Sequence, residues 1–281
     1  MNQRLLAYGR LVKVEHTLFS IPLLFSGAVL AAGHLPSWSL SVLILFAGFG
    51  ARTAAFALNR IIDRHIDKLN PRTAGRELPK GSLTVAEAWG VGVFGTLLYG
   101  VAAWFIAPIC FYLSPLPLVV FVLYPYLKRV SWMAHFGVGL ADALAPLGGW
   151  IAVTQSLHPV WPGLWLGLFT FFWVSGFDII YSTMDETFDR EHGLHSLPVR
   201  VGSEDALLVS GVFHMVAFWA LVALYKYYFH STTAFLTLGA IGALLYLEHA
   251  NARDVNLAFF KINAVLGFGV LGFIVTGVLF A

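Results

Sequence analysis

Ser37-Trp-Ser-Leu-Ser-Val-Leu-Ile-Leu-Phe-Ala-Gly-Phe-Gly-Ala-Arg-Thr-Ala-Ala-Phe-Ala-Leu58 is an apolar run whose only charge is Arg52. It leads directly into Asn59-Arg-Ile-Ile-Asp63-Arg-His-Ile-Asp67. A helix needs about 20 mostly apolar residues to cross the hydrocarbon of a bilayer. The first run therefore reads as a membrane span and the second as its charged end. Asn59, Asp63 and Asp67 recur every four residues, so they share one helical face. Arg52, two turns earlier, lies within about 20° of Asn59 on that face.

The rest of the chain has the same character. Of its 281 residues 58% are hydrophobic and only 11% charged, against roughly 25% charged in soluble domains. Mean hydropathy is +0.77. Such a surface cannot be coated for water, which excludes a cytosolic enzyme and equally excludes disorder. A net charge of +2 gives no footing for nucleic acid. The single cysteine, Cys110, excludes an internal disulfide framework and a thiolate metal cluster.

Nine apolar segments are long enough to be read as spans: 17–34, 37–58, 84–107, 109–127, 132–154, 161–183, 205–228, 232–250 and 259–280. Pro115 and Pro117 make 109–127 the most interrupted. Residues 1–15 read as a short amphipathic surface helix with Leu5, Leu11 and Val12 as its apolar side. With the N-terminus inside, 15 of the 17 Lys and Arg fall in cytoplasmic loops, as orientation by positive charge requires. Thr84-Val-Ala-Glu87 has the form of a capping box opening the third span.

The acids cluster as well. Windows 59–80 and 178–191 together hold eight of the 15 carboxylates, each window at the cytoplasmic end of a span. In the second, Asp185 and Asp189 repeat the four-residue spacing, with Asp178 two turns deeper. Carboxylate and amide oxygens suit a hard cation, and Mg²⁺ takes a few carboxylates together with substrate phosphate oxygens. The six Lys and Arg of 60–80, with Lys128 and Arg129, are placed to neutralise an anion beside that metal. Solvated surface ion pairs are the ordinary reading of one such cluster. Two clusters of matched spacing, with Arg52 and Asp178 inside the spans, favour a site, because intramembrane charge is costly. Acids, metal and bases together describe a diphosphate site at a membrane surface, with a lipid tail between the spans. Asp142, in the fifth span, either lines that cavity or makes a buried structural hydrogen bond.

Asn59-Arg-Ile-Ile-Asp63-Arg-His-Ile-Asp67, with Asn70-Pro-Arg-Thr-Ala-Gly-Arg-Glu-Leu-Pro79, resembles the first signature of the UbiA superfamily of intramembrane prenyltransferases. Asp178-Ile-Ile-Tyr-Ser-Thr-Met-Asp185-Glu-Thr-Phe-Asp189 resembles the second. One departure is Arg60, where many members carry Asp. The variant resembles the branch that prenylates hydroxybenzoate- or hydroxynaphthoate-type acids for quinones. The resemblance implies an all-α polytopic fold: nine transmembrane helices around a lipid-accessible cavity capped by cytoplasmic loops. It implies one domain over 1–281, with pseudo-duplicated halves of roughly 1–130 and 131–281.

It further implies Asn59, Asp63, Asp67, Asp185 and Asp189 as Mg²⁺ ligands. Arg72, Arg76 and Lys128 would hold a polyprenyl diphosphate, and Arg52 and Asp178 would face a small aromatic acid. At that depth Asp178 is placed either to accept the phenol or ring proton of the acceptor or to orient Arg52 as its counter-ion between turnovers. The expected protein is a multi-pass enzyme of the inner membrane, with its site open to the cytoplasm and its partners lipid and small molecules. Haem, chlorophyllide or a glycerol phosphate ether are other acceptors of the superfamily. A cation-coupled transporter is the rival outside it, but a transporter should hold its acids near mid-span.

Overall fold

The computed structural model describes residues 3–13, 17–254 and 262–280. Its described elements are helices: α1 (Gln3–Leu11), α2 (Thr17–Ala32), α3 (Trp38–Leu69), α4 (Val85–Ile106), α5 (Pro108–Leu113), α6 (Pro115–Leu127), α7 (Ala134–Thr154), α8 (Trp161–Ser182), α9 (Glu186–Glu191), α10 (Leu197–Val201), α11 (Ser203–Tyr228), α12 (Thr232–Ala250) and α13 (Asn263–Leu279). Among the described residues, seven helical stretches are long and apolar enough to cross a membrane. The first and last expected spans form shorter apolar helices, Ser20–Ala32 and Asn263–Leu279. The start of the expected last span, 259–261, lies outside the described residues together with 255–258 before it, and Lys261 is among them.

The sequence explains where the helices begin and stop. Ser37 caps α3, accepting a hydrogen bond from the Leu40 N–H. At 32 residues, α3 is about 48 Å long, well beyond the ~30 Å of a hydrocarbon core. Its last turns therefore carry Asn59, Asp63 and Asp67 past the apolar layer. Asn70 ends it in an extended conformation, as a residue preceding proline prefers. The Asn70 side chain then accepts from the Arg72 N–H at 2.9 Å, turning the chain back. The capping box forms as expected, with Thr84 and Glu87 exchanging hydrogen bonds at 3.1 and 2.8 Å.

The second acidic segment departs from the expected regular helix. After Ser182 the chain tightens into a 3₁₀ turn, Thr183–Asp185, before α9 resumes. Ser182 and Thr183 donate their hydroxyls to the carbonyls of Ile179 and Ile180 at 2.8 and 2.7 Å, a local competition that distorts helices. The amphipathic α1 also differs in detail. Leu11 is fully buried, with Ala7, against Ile61, Leu83 and Ala88, whereas Leu5 is 64% exposed.

Two packing regimes organise the bundle. A solid aromatic core built on Phe169, Trp173 and Phe273 joins α2, α8, α11, α12 and α13. In contrast, α2 to α8 surround a hollow, and among the described residues none from α11 to α13 lines it. One wall of that hollow is the α3–α4 pair. A Cβ on Gly50 would lie 2.6 Å from the Tyr99 nitrogen, and one on Gly95 2.7 Å from the Ala54 nitrogen. The two backbones therefore pack closer than any side chain permits.

Gly50→Leu should lower the thermal unfolding midpoint in detergent, costing about 1–3 kcal/mol as the seam parts. Gly90→Leu on the same α4, where an added Cβ meets nothing within 4 Å, should leave the midpoint unchanged.

Candidate active site

The hollow is a cavity of about 400 Å³ with mostly apolar walls. Its charged lining residues are Lys13, Arg52, Arg60 and Arg76 against Asp142 and Asp178. Four cations facing two carboxylates, in mostly apolar walls, make this a place for an anion.

Arg52 lies on the α3 wall, as its spacing from Asn59 requires. Its counter-ion, however, is Asp142 on α7, with Nη1 3.5 Å from Oδ1. The same Nη1 also donates to the hydroxyl of Ser20 on α2, and that hydroxyl donates to Asp142 at 2.9 Å. The expected Arg52–Asp178 pair is therefore replaced by a triad across three helices. Sequence depth alone could not separate Asp142 from Asp178, because both lie inside spans and only the packing of α7 on α2 decides.

Asp178 instead meets His135 of α7, with Nδ1 and Oδ2 2.7 Å apart. The Leu197 N–H donates to the other ring nitrogen, Nε2, at 3.1 Å. A nitrogen that accepts is unprotonated, so the proton lies on Nδ1 and is donated to the carboxylate. His135 is 4% exposed and escaped the sequence reading. Its only signal there was a position seven residues before Asp142, on the same face of one span.

The acidic face of α3 stands beside the cavity mouth. Asp63 is 3% exposed and accepts from Lys128 at 2.6 Å and Arg129 at 3.2 Å. The Asn59 amide donates to the same carboxylate at 3.3 Å. Asp67 pairs with Arg76 at 2.7 Å, while its second oxygen, Oδ2, is buried without a hydrogen-bond partner.

The two signatures meet through Asp185. It accepts from Asn70 at 2.8 Å and from Arg72 through Nε at 2.9 Å, and a second Arg72 bond makes the pair bidentate. The Arg72 guanidinium also covers the Tyr181 ring, 4.7 Å from its centroid. Burial alone would push its pKa down, but the Asp185 hydrogen bond and the electrostatic pull of Tyr181 and Asp185 carry it above the ordinary value. Asp189 lies within electrostatic range of Asp185, Lys128 and Arg72. All the proposed ligands and bases thus gather at one end of the bundle. Asn70 and Tyr181 join them as contacts that spacing could not reveal, and Arg129 holds Asp63 beside Lys128.

Among the described residues, no three His, Cys, Asp or Glu side chains converge on a common metal position. Asp63, Asp67 and Asp185 are each neutralised by a base, as the bonds above show. The donors are nonetheless hard oxygens, and the partnerless Asp67 Oδ2 is a buried acceptor. That chemistry fits Mg²⁺ and not zinc.

The UbiA prenyltransferase family model matches residues 19–278. A 4-hydroxybenzoate octaprenyltransferase of Vibrio campbellii is 28% identical over 276 residues, covering 93% of each chain. The protein of the same name from Vibrio parahaemolyticus is 29% identical, again over 93% of both. Among solved structures, the apo UbiA homologue of Aeropyrum pernix K1 superposes with a TM-score of 0.84 at 32% identity, over 95% of this chain and 98% of its own. A UbiA homologue of Archaeoglobus fulgidus, bound to DMAPP and Mg²⁺, shares the fold with a TM-score of 0.73 at 20% identity, over 96% and 99% of the two chains. With its acidic helix ends gathered at the mouth of a cationic, apolar cavity, this chain is an integral membrane protein that belongs to the UbiA prenyltransferase family.

Proposed function

We propose that this prenyltransferase moves a polyprenyl group from polyprenyl diphosphate to a 4-hydroxybenzoate-type aromatic acid. The reaction would be Mg²⁺-dependent, would serve quinone synthesis, and would run at the cytoplasmic face of the inner membrane. The observation that carries this reading is the cavity: apolar along its walls, cationic inside, with both acidic segments at its mouth. The names of the Vibrio relatives support the acceptor class. The positive-inside pattern of the loops supports the orientation.

Asn59, Asp63, Asp67, Asp185 and Asp189 are the residues to hold the metal. When bound, Mg²⁺ supplies charge stabilisation to the departing diphosphate. Arg72, Arg76 and Lys128 exchange their carboxylate partners for phosphate oxygens and favour heterolysis of the allylic C–O bond, whose electron pair leaves with the diphosphate. The apolar walls keep water from the allylic cation, so the arene meets it first. Arg52 engages the carboxylate of the acceptor. Asp178, oriented by the Nδ1–H of His135, takes the ring proton from the carbon that has formed the new C–C bond, and loss of that proton restores aromaticity.

Asp63→Asn and Asp185→Asn should each cut turnover by about a hundredfold or more while the protein still inserts and purifies. EDTA should stop the wild-type reaction and Mg²⁺ restore it. Full activity in both variants would remove the metal role from these residues. Alanine at Arg72, Arg76 or Lys128 should raise the KM of the prenyl donor and leave that of the acceptor little changed. A rise in acceptor KM alone would reverse that assignment. Arg52→Ala should impair prenylation of a phenolic acid by about tenfold to a hundredfold more than that of the phenol lacking its carboxylate. Equal impairment of both acceptors would reduce Arg52 to a brace between α2, α3 and α7.

A further inference from the structure

Arg60 has no place in the mechanism above, yet it is the cavity residue whose charge is hardest to account for. It is 4% exposed and lines the cavity. Its Nε is buried with no hydrogen-bond partner, and among the described residues none forms an ion pair with it. The nearby guanidiniums differ: Arg52 has Asp142, Arg72 has Asp185, Arg76 has Asp67 and Arg129 has Asp63. The charged groups and phenol within electrostatic range of Arg60 are Arg76, Asp67, Glu77 and Tyr124. Both acids are already engaged, Asp67 by Arg76 at 2.7 Å and Glu77 by Arg10 at 3.4 Å. A buried guanidinium that forms no ion pair, with a second guanidinium in electrostatic range and both nearby acids shared with other bases, is unfavourable without a ligand. Such a pair is also the arrangement that grips an anion, since each planar fork can donate two parallel hydrogen bonds to phosphate oxygens.

Two anions enter this cavity on the proposed reading, the donor's diphosphate and the acceptor's carboxylate. Arg60 directly follows Asn59 and neighbours Arg76, at the level of the acidic cluster. Arg52 lies two turns deeper on the same helix and already has a triad of its own. We propose that Arg60 is a donor-binding residue, forming with Arg76 a paired-guanidinium subsite for the diphosphate group. This rests on the prenyltransferase reading and gives a specific role to one of the six bases of 60–80, which the donor-binding set of Arg72, Arg76 and Lys128 leaves out. Arg60 then carries a strain that substrate relieves, the usual exchange of stability for function at a binding site.

The test uses purified full-length protein in detergent with Mg²⁺, and two probes, inorganic pyrophosphate and geranyl diphosphate. Affinities are measured calorimetrically and unfolding midpoints without ligand. Arg60→Gln should unfold at the same temperature as wild type or higher, because it removes an uncompensated charge. It should bind both probes about tenfold to a hundredfold more weakly. Arg60→Lys, which keeps the charge but loses the fork, should match wild-type stability and bind with intermediate affinity. Wild-type affinity for pyrophosphate in Arg60→Gln overturns the proposal. So does a lowered midpoint or failure to fold, which would make Arg60 a structural brace. Weakening confined to geranyl diphosphate would place Arg60 on the tail, and a raised acceptor KM alone would place it on the carboxylate; either overturns the proposal. Failure of the wild-type protein to bind either probe would instead overturn the prenyltransferase reading beneath it.

Discussion

Asp63 is a carboxylate with 3% of its surface exposed, at the end of an apolar helix. In such surroundings a lone charge is excluded, so cations must be delivered to it. Lys128 and Arg129 arrive together from the end of α6, at 2.6 and 3.2 Å. Arg129 also donates to the Ile62 carbonyl at 2.9 Å. These bonds fasten α6 to α3. The same corner holds the second signature, because the His195 N–H donates to the Lys128 carbonyl at 2.7 Å. One buried charge thereby fixes the convergence of three chain segments, and the mouth of the cavity is where they meet.

The rest of the bundle divides its work around that corner. In α8, α11, α12 and α13, aromatic and aliphatic side chains fill the interior, with Phe169, Trp173 and Phe273 fully buried. From α2 to α8 the interior is left open and most of its polar groups are tied off locally, the Nε atoms of Arg52 and Arg60 excepted. Ser20, Arg52 and Asp142 bind one another, as do Asp178 and His135. A filled core beside a hollow one suits a catalyst for a reactive cation, since the filled half keeps the hollow half from collapsing. Helix α8 belongs to both regimes. Trp173 and Phe177 pack into the solid core and also line the cavity, and one turn further Asp178 and Tyr181 face the chemistry.

Much of this was legible in the chain before any coordinates. Apolar runs announced the helices, and the spacing of Asn59, Asp63 and Asp67 placed them on one face because helical pitch is a local property. The capping box at Thr84 was readable for the same reason. What sequence could not supply were partners. Arg52 was expected to meet Asp178 and meets Asp142. The choice depends on how α7 packs against α2, and no local rule encodes that. The one local signal of His135 is its place on the face of Asp142, too weak to single out a lone histidine in a span; the Leu197 N–H and Asp178 give it meaning. Asp185 was assigned a helical turn that Ser182 and Thr183 tighten through their own hydroxyls. Spacing identified which residues gather at the site, and tertiary packing determined which of them touch.

The ligand-free pairing also bears on how such a site can bind its substrate at all. Asp63, Asp67 and Asp185 are each held by a base, so these acids stand neutralised before anything enters. A metal cation arriving alone would have to displace Lys128, Arg76 or Arg72 and leave a guanidinium or ammonium without a partner. A diphosphate arriving alone would take those bases from their carboxylates and leave the acids exposed to one another. Both half-steps strand buried charge, which is the costliest outcome in an apolar interior. When metal and diphosphate enter together, each of these paired charges would exchange one partner for another, the acids passing from base to metal and the bases from acid to phosphate. On the proposed reading the pairing therefore favours the metal–diphosphate complex over either component. It also couples binding to the loop at Asn70 and Arg72, because the Asp185 contacts that close this loop over α8 are among those exchanged. The same ion pairs that stabilise the empty protein thus set which ligand can open it.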